Sequence, residues 1–298
     1  MSLKDSKPKL SESQASQLIG RLFGLTVTKI RPLPSYDDQN FHVGDSEGGE
    51  YVLKIMNSVC SQNMDLIEVQ THAMAWLHQN GLPAQTALPK LTGTKMSLED
   101  IDCGSGSQKY LVRLLTYLPG TTISKIACSP QMLYQVGRMA ATMDTILHKL
   151  RLLWQTEHPK LSALQRENWL WNLANLPMLE PYLQTYEGEH EKQVVKDVMK
   201  MFETQVLVNM SSFRKSGWES SFPLNEAERD ALFVLVLARF CQSLVMAEHS
   251  VTLYPENKDY LMITSHKRKH HLSQLWKMGK EAVLRKWVED AREYSDRK

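Results

Sequence analysis

Hydrophobic positions change their period along this chain near residue 117. Before that point apolar residues alternate with polar ones or run in pieces of strand length, whereas beyond it they recur every three or four residues. SESQASQLIGRLFGL is the exception in the first part. Its Leu18, Ile19, Leu22, Phe23 and Leu25 share a helical spacing, with Ser11 or Ser13 placed to cap it. TVTKIRPLP, QNFHVGDSEGGEYVLKIMN and QKYLVRLLTYLPG then read as strands, and PSYDD, DSEGGE and CGSGS supply the turn chemistry of antiparallel hairpins. One helix, DLIEVQTHAMAWLHQNG, is inserted among them and stops at Gly81 and Pro83.

From Ser129 onward the strand pattern ends. SPQMLYQVGRMAATMDTILHKL, EGEHEKQVVKDVMKMFETQVLVNMSSF, EAERDALFVLVLARFCQSLVMAEHS and SQLWKMGKEAVLRKWVEDAREY all carry helical apolar spacing. The pattern predicts an α+β protein of two lobes joined at TYLPGTT: a small antiparallel sheet lobe over 1–117 and a helical lobe over 118–298. The apolar run 231–247 is shorter than the roughly 20 residues of a membrane span and carries Arg239 at its centre, so it is predicted to be a buried core helix. A guanidinium in such a helix calls for an anion, which a structural carboxylate could supply.

Composition narrows the classes. The 298 residues are 42% hydrophobic, enough for a real core, and 35 Lys and Arg against 33 Asp and Glu leave a net charge of +2. No overall field points to nucleic acid or an anionic membrane as partner. Cys60, Cys103, Cys128 and Cys241 form no CxxC pair and fit free thiols in a reducing compartment. MSLKDSKPKLSESQ has no apolar segment behind it, so no secretory signal is expected and the cytoplasm is the expected location. HKRKHH at 266–271 reads as a solvated helix face or loop, GSGSQK at 104–109 as a turn, and EDID at 99–102 as an acidic hairpin tip.

Candidate chemistry begins at YVLKI, which puts Lys54 in an apolar strand. An ammonium there either snorkels from an edge or meets an anion, and the motif alone leaves both open. Upstream lies the polar turn LPSYDDQNFHV. The order of loop, lysine strand and helix is that of protein kinases, where a loop covers the nucleotide phosphates, a strand lysine contacts them and a helix glutamate fixes the lysine. This loop has no glycine; Ser35, Asp37, Asp38, Gln39 and Asn40 would use side chains and amides. Two carboxylates beside phosphates repel them unless turned outward or bridged by a metal. Ser, Asp and Asn are also ordinary turn residues.

SYDDQNFHV, YVLKI, IEVQTHAMAWL, YLVRLLTYLPG, WNL at 171–173 and RFCQSLVMAEHSVTLYPENKDYL occur in that order. Together they resemble the aminoglycoside phosphotransferase and choline kinase group over nearly the whole chain. The resemblance implies a protein-kinase-like two-lobed fold, GTP as donor, magnesium, and 5-hydroxy-L-lysine as small-molecule acceptor in cytoplasmic lysine and collagen breakdown. It implies that Lys54 contacts the nucleotide phosphates beneath Ser35 and Asn40, and that Leu115, Thr116, Tyr117 and Leu118 form the hinge for the base. Glu68 is expected to fix Lys54, although the family's spacing favours Gln70; the two lie about 200° apart on a helix, so only one can face the lysine. Arg239 and Trp171 are expected in the acceptor site.

Members of this group supply a base and metal ligands from an HGDxxxxN loop and a following D-F-G or D-x-D segment. The helical part here contains neither, and no HGD triplet occurs anywhere. Asp144 and His148, four apart, read as a surface pair. By order both missing motifs belong in SSFRKSGWESSFPLN, 211–225, where the similarity stops at Lys215 and resumes by Gly217 or Trp218. Ser212, Ser216, Ser220, Ser221 and Glu219 offer neither a positioned base nor a magnesium site. The helical lobe is therefore expected to be incomplete at a seam near 215–218, with no catalytic residue and no metal ligand. The chain is expected to be a weak or inactive kinase or a non-catalytic nucleotide-binding protein. The apolar run 231–247 is expected to lose part of its cover.

Overall fold

A computed structural model of the chain describes residues 6–104, 106–154, 160–164, 166–212 and 225–295. Contacts divide it into two units, Met1–Gln165 and Arg166–Lys298. The first opens with helix α1 (Glu12–Phe23), started by a reciprocal cap in which Ser11 Oγ accepts from Gln14 N and the Gln14 side chain accepts from Ser11 N. Gly24, in the left-handed region at φ +71°, ends it.

Five antiparallel strands follow: β1 (Val27–Leu33), β2 (Gln39–Asp45), β3 (Glu50–Ile55), β4 (Ser97–Asp102) and β5 (Ser107–Thr116), in the order β1-β2-β3-β5-β4. Alternation sends Phe41, Val43, Leu53, Ile55, Tyr110, Val112 and Leu114 to one face, where they pack with Ala15, Leu18, Ile19, Leu22 and Phe23 of α1. Beside the other face, Met56 and Leu111 pack with Leu66 and Ile67 of helix α2 (Met64–Gln79). The same alternation puts Asn40, Lys54 and Arg113 side by side across β2, β3 and β5.

The stretch 99–102 belongs to edge strand β4 rather than to a hairpin tip. Its acids are paired along the strand: Glu99 with Arg21 at 2.6 Å and Asp100 with Lys109 at 3.1 Å. Asp102 Oδ1 accepts from Gly104 N and Gly106 N in the turn that follows.

Helix α3 (Pro130–Trp154) groups with the sheet unit, so the division falls at 165/166 instead of the expected 117/118. The reason is its packing on α2, where Trp76 Nε1 donates to Ile146 O at 3.1 Å. Met132, Val136, Met139 and Met143, spaced along one side of α3, are exposed.

The second unit holds a 3-10 segment (Leu173–Thr185), α4 (Glu189–Met201), a π turn (Phe202–Val206), α5 (Glu226–Leu253), α6 (Lys258–Leu261), α7 (Ser265–Met278) and α8 (Lys280–Ser295). By length and composition α5 could cross a membrane, but Phe233, Val234, Leu237, Ala238, Cys241, Leu244 and Val245 are buried among Leu176, Leu179, Val195, Val198 and Phe202. Among the described residues the 173–185 segment, α4 and α7 pack on α5 and bury one side of it, while Leu232, Leu235, Val236, Phe240 and Met246 stay partly exposed. Gly279, at φ +76°, divides what the sequence reads as one terminal helix into α7 and α8. The basic run 266–271 lies in α7, where Lys269 pairs with Glu248 at 2.6 Å. The seam at 215–218 lies outside the described residues.

Candidate functional site

Lys54 sits on β3 with Nζ 2.5 Å from Asp38 Oδ2, and each side chain is largely covered. Asp38 Oδ1 accepts from Asn57 N at 2.9 Å and from Asn57 Nδ2 at 3.2 Å. Asn57 is buried and is itself held, its Oδ1 accepting from Cys60 N at 2.8 Å and its carbonyl from Ser61 Oγ at 2.7 Å. Ser61 Oγ in turn accepts from Leu111 N at 2.8 Å, which ties the assembly to β5. Ser35 closes the loop by donating from Oγ to Asp38 O at 2.6 Å.

The loop carboxylates therefore follow neither course expected of them: Asp38 turns inward onto the lysine. Asp37 Oδ2 accepts from Asn57 Nδ2 at 3.1 Å. Much of that residue faces solvent, yet its carboxyl is crowded by protein, and this desolvation, followed by repulsion from Asp38, lifts its pKa above the ordinary carboxylate value.

Arg113, beside Lys54 on the same face, is 3% exposed. Its Nη1 donates to Thr71 Oγ1 at 2.9 Å, Nη2 lies 3.9 Å from Met56 Sδ, and Nε meets no acceptor among the described residues. Burial pulls its pKa below the usual guanidinium value, and the nearby Asp38 charge partly offsets that. Sequence reasoning missed Arg113 and Asn57. The available signal was a second cation in an apolar strand, YLVRLL, analogous to YVLKI. Asn40 presents a buried Oδ1 with no partner among the described residues, next to Lys54 in the sheet register.

At the end of β5, Leu115 bridges Ala87, and Thr116 is used up: its N donates to Thr86 O, its carbonyl accepts from Gln85 Nε2, and its Oγ1 accepts from Thr86 N. Tyr117 N donates to Glu50 O at 3.1 Å. Among the described residues the Tyr117 carbonyl and the Leu118 N–H have no protein partner, leaving one acceptor and one donor in adjacent positions. The Tyr117 ring meets His42 edge-on at 4.5 Å.

Glu68 does not reach Lys54. It pairs with Lys160 at 2.6 Å, and Asp65, one turn earlier, joins at 2.9 Å. The Glu68 hydrogen bond first, then that from Asp65, raises the Lys160 pKa. The face of α2 that carries these acids packs on the turn Leu161–Leu164, which takes Glu68 out of the site.

Arg239 and Trp171 do come together in the second unit. Nη1 of Arg239 donates to Gln242 Oε1 at 2.6 Å and to Trp171 O at 3.3 Å, and the guanidinium lies 5.6 Å from the Trp171 ring centre. The argument that Arg239 needs an anion is overturned, because the residue is exposed and is satisfied by an amide, a carbonyl and an aromatic face. Among the described residues no group of three His, Cys, Asp or Glu could hold a metal ion, and Asp37 and Asp38 are committed to Asn57 and Lys54. Magnesium thus finds no ligand set among them.

Comparison with known proteins gives the family and the fold. The family described as "Phosphotransferase enzyme family" matches residues 29–200. The hydroxylysine kinase of Danio rerio is 47% identical over 99% of each chain, and that of Bos taurus 38% identical over 97% of this chain and 95% of its own. An amicoumacin kinase in complex with AMP-PNP and Ca2+ and a microcompartment-associated aminopropanol kinase each align with a TM-score of 0.56 at 13% identity. They cover 89% of this chain, and 94% and 98% of their own, and show a shared protein-kinase-like α+β fold. The alignment with the Danio rerio protein runs over 358 positions, sixty more than the 298 residues here, so at least that many positions have no counterpart in this chain.

Proposed function

Because the chain belongs to the phosphotransferase enzyme family, with hydroxylysine kinases among its relatives, we propose that it is a short form of a hydroxylysine kinase that binds nucleotide and transfers phosphate weakly or not at all. The observation that carries the reading is the row of Asn40, Lys54 and Arg113 on one sheet face, two cations and an orphaned amide oxygen beside a loop held by side chains. Lys54 is the phosphate ligand, and the Tyr117 carbonyl and Leu118 N–H are the hinge pair for the base. GTP is the proposed donor, 5-hydroxy-L-lysine the proposed acceptor, magnesium the accompanying ion and the cytoplasm the location.

Phosphoryl transfer is mostly positioning and charge neutralisation. The described residues offer nothing to orient the acceptor hydroxyl, the chain has no HGD triplet, and its relatives carry at least sixty further positions. Loss of base and metal ligands together removes most of what a protein contributes to this reaction. The test is a purified chain with GTP, magnesium and 5-hydroxy-L-lysine, beside the longer Danio rerio enzyme. GTP is expected to raise the melting temperature, Lys54→Ala to abolish that shift, and turnover to fall far below the roughly 1–100 s⁻¹ of ordinary kinases. A normal rate overturns the impairment; no GTP-dependent shift overturns the nucleotide site.

A second reading, a non-catalytic nucleotide-binding protein, draws on the same row of residues. A GTP shift with no turnover under any donor and acceptor pairing would select it.

A further inference from the structure

We propose that Asp38, and not a carboxylate of α2, is the positioning residue that holds Lys54 for a nucleotide phosphate. The inference rests on the reading of Lys54 as phosphate ligand but asks a separate question, namely what orients it. Like charges side by side in a sheet repel, and Lys54 and Arg113 are such a pair. Among the described residues Asp38 is the carboxylate that meets Lys54, and its charge also acts on Arg113.

Asp38 is anchored by hydrogen bonds as well as by the ion pair. Two donors of Asn57 hold Oδ1, and Asn57 is locked by Cys60 N and Ser61 Oγ. Swinging Asp38 away would leave the buried Asn57 N–H without its acceptor, while Asn57 Nδ2 would keep Asp37 Oδ2, and an unmet buried donor is costly. An ammonium has three donors, so one spent on Asp38 leaves two for phosphate oxygens. Glu68 meanwhile is spent on Lys160.

The consequence is a change of wiring. In protein kinases the glutamate that fixes the lysine rides on a helix, and helix position controls activity. Here the orienting carboxylate sits in the loop between β1 and β2 and is anchored just past β3, so Lys54 is held whether or not α2 shifts.

The full chain is tested as Asp38→Asn, Glu68→Gln and Lys54→Ala with two readouts, GTP affinity by calorimetry and the rate at which an acylating reagent labels the Lys54 amine without nucleotide. Asp38→Asn keeps an oxygen for Asn57, so the fold is preserved, and its melting temperature checks this. It is expected to weaken GTP binding about tenfold, the scale of one charge-assisted hydrogen bond, and to speed Lys54 labelling several-fold. Glu68→Gln is expected to change neither. Unchanged labelling and binding in Asp38→Asn, tighter binding in it, or losses appearing in Glu68→Gln would each overturn the proposal. Lys54→Ala binding GTP like the wild type would sink the nucleotide reading instead, and the labelling rates would still decide the role of Asp38.

Discussion

Arg113 and Thr71 meet where the sheet packs on α2: guanidinium Nη1 donates to Thr71 Oγ1 at 2.9 Å, with both residues buried. The hydroxyl also donates to Ile67 O at 2.7 Å, so one oxygen links a strand cation to a helix carbonyl. Thr71→Val is nearly isosteric but leaves Nη1 unpaired out of water. It is expected to cost about 1–3 kcal/mol in denaturant unfolding, the penalty of a buried unsatisfied donor. Thr71→Ser should recover most of that, and equal losses in both variants would show that packing, not the hydrogen bond, matters.

Asp45 organises the β2–β3 turn. Its Oδ1 accepts from Gly49 N at 2.7 Å and Glu47 N at 3.0 Å, and its Oδ2 accepts from Tyr51 Oη at 3.0 Å. The Gly49 hydrogen bond is the largest influence, and the carboxyl is held below its ordinary value of 3.8. A depressed carboxyl stabilises the fold above its unfolded-state pKa, and that stability is lost as pH falls through the folded value. Asp45→Asn is expected to melt below the wild type at pH 7, with the gap closing as pH drops from about 4 toward 2. A gap independent of pH would contradict the assignment.

His249 titrates in a different window. Burial lowers its pKa from 6.5, and its ring packs edge-on against Tyr182 at 4.7 Å. For a depressed histidine the unfolded chain takes up the proton first, so stability falls as pH drops below 6.5 until the folded group also titrates. His249→Phe keeps a ring against Tyr182 and is expected to flatten the melting profile between pH 6.5 and about 5. Identical slopes in variant and wild type would refute this.

Met132, Val136, Met139 and Met143 form an exposed apolar side of α3. Such patches promote association. Val136→Lys combined with Met139→Lys is expected to reduce concentration-dependent light scattering while changing unfolding free energy by no more than about 0.5 kcal/mol per site, the usual range for surface positions. Unchanged scattering would place the association elsewhere.

Much of the sheet unit was legible because its period is unambiguous: α1 with its Ser11 cap, the strands carrying Phe41, Leu53 and Leu114, and the stop of α2 before Gly81 all follow from local pattern. Strand β4 was hidden, since Glu99, Asp100 and Asp102 read as a solvated tip until Arg21 and Lys109 are seen to pair with two of them. Lys54 was legible, whereas its partner was not. Charge selects Glu68 over Gln70, but Lys160, ninety-two positions away, takes that carboxylate, and Asn57 presents Asp38 in its place. Arg239 misled because α5 is apolar overall while one side of it still reaches solvent.

The core between α1 and the sheet draws every member from Leu10 to Leu114. Domains fold as units from the N-terminus during synthesis, at about 5–20 residues per second. This core has all its side chains once residue 114 clears the ribosome, roughly ten to thirty seconds before the last of the 298 residues is added. Lys54, Asp38 and Asn57 lie within that first-made segment. The lysine and its carboxylate thus belong to the first-made unit, Met1–Gln165, so a longer relative and a chain shortened after residue 212 are expected to share that first folding step.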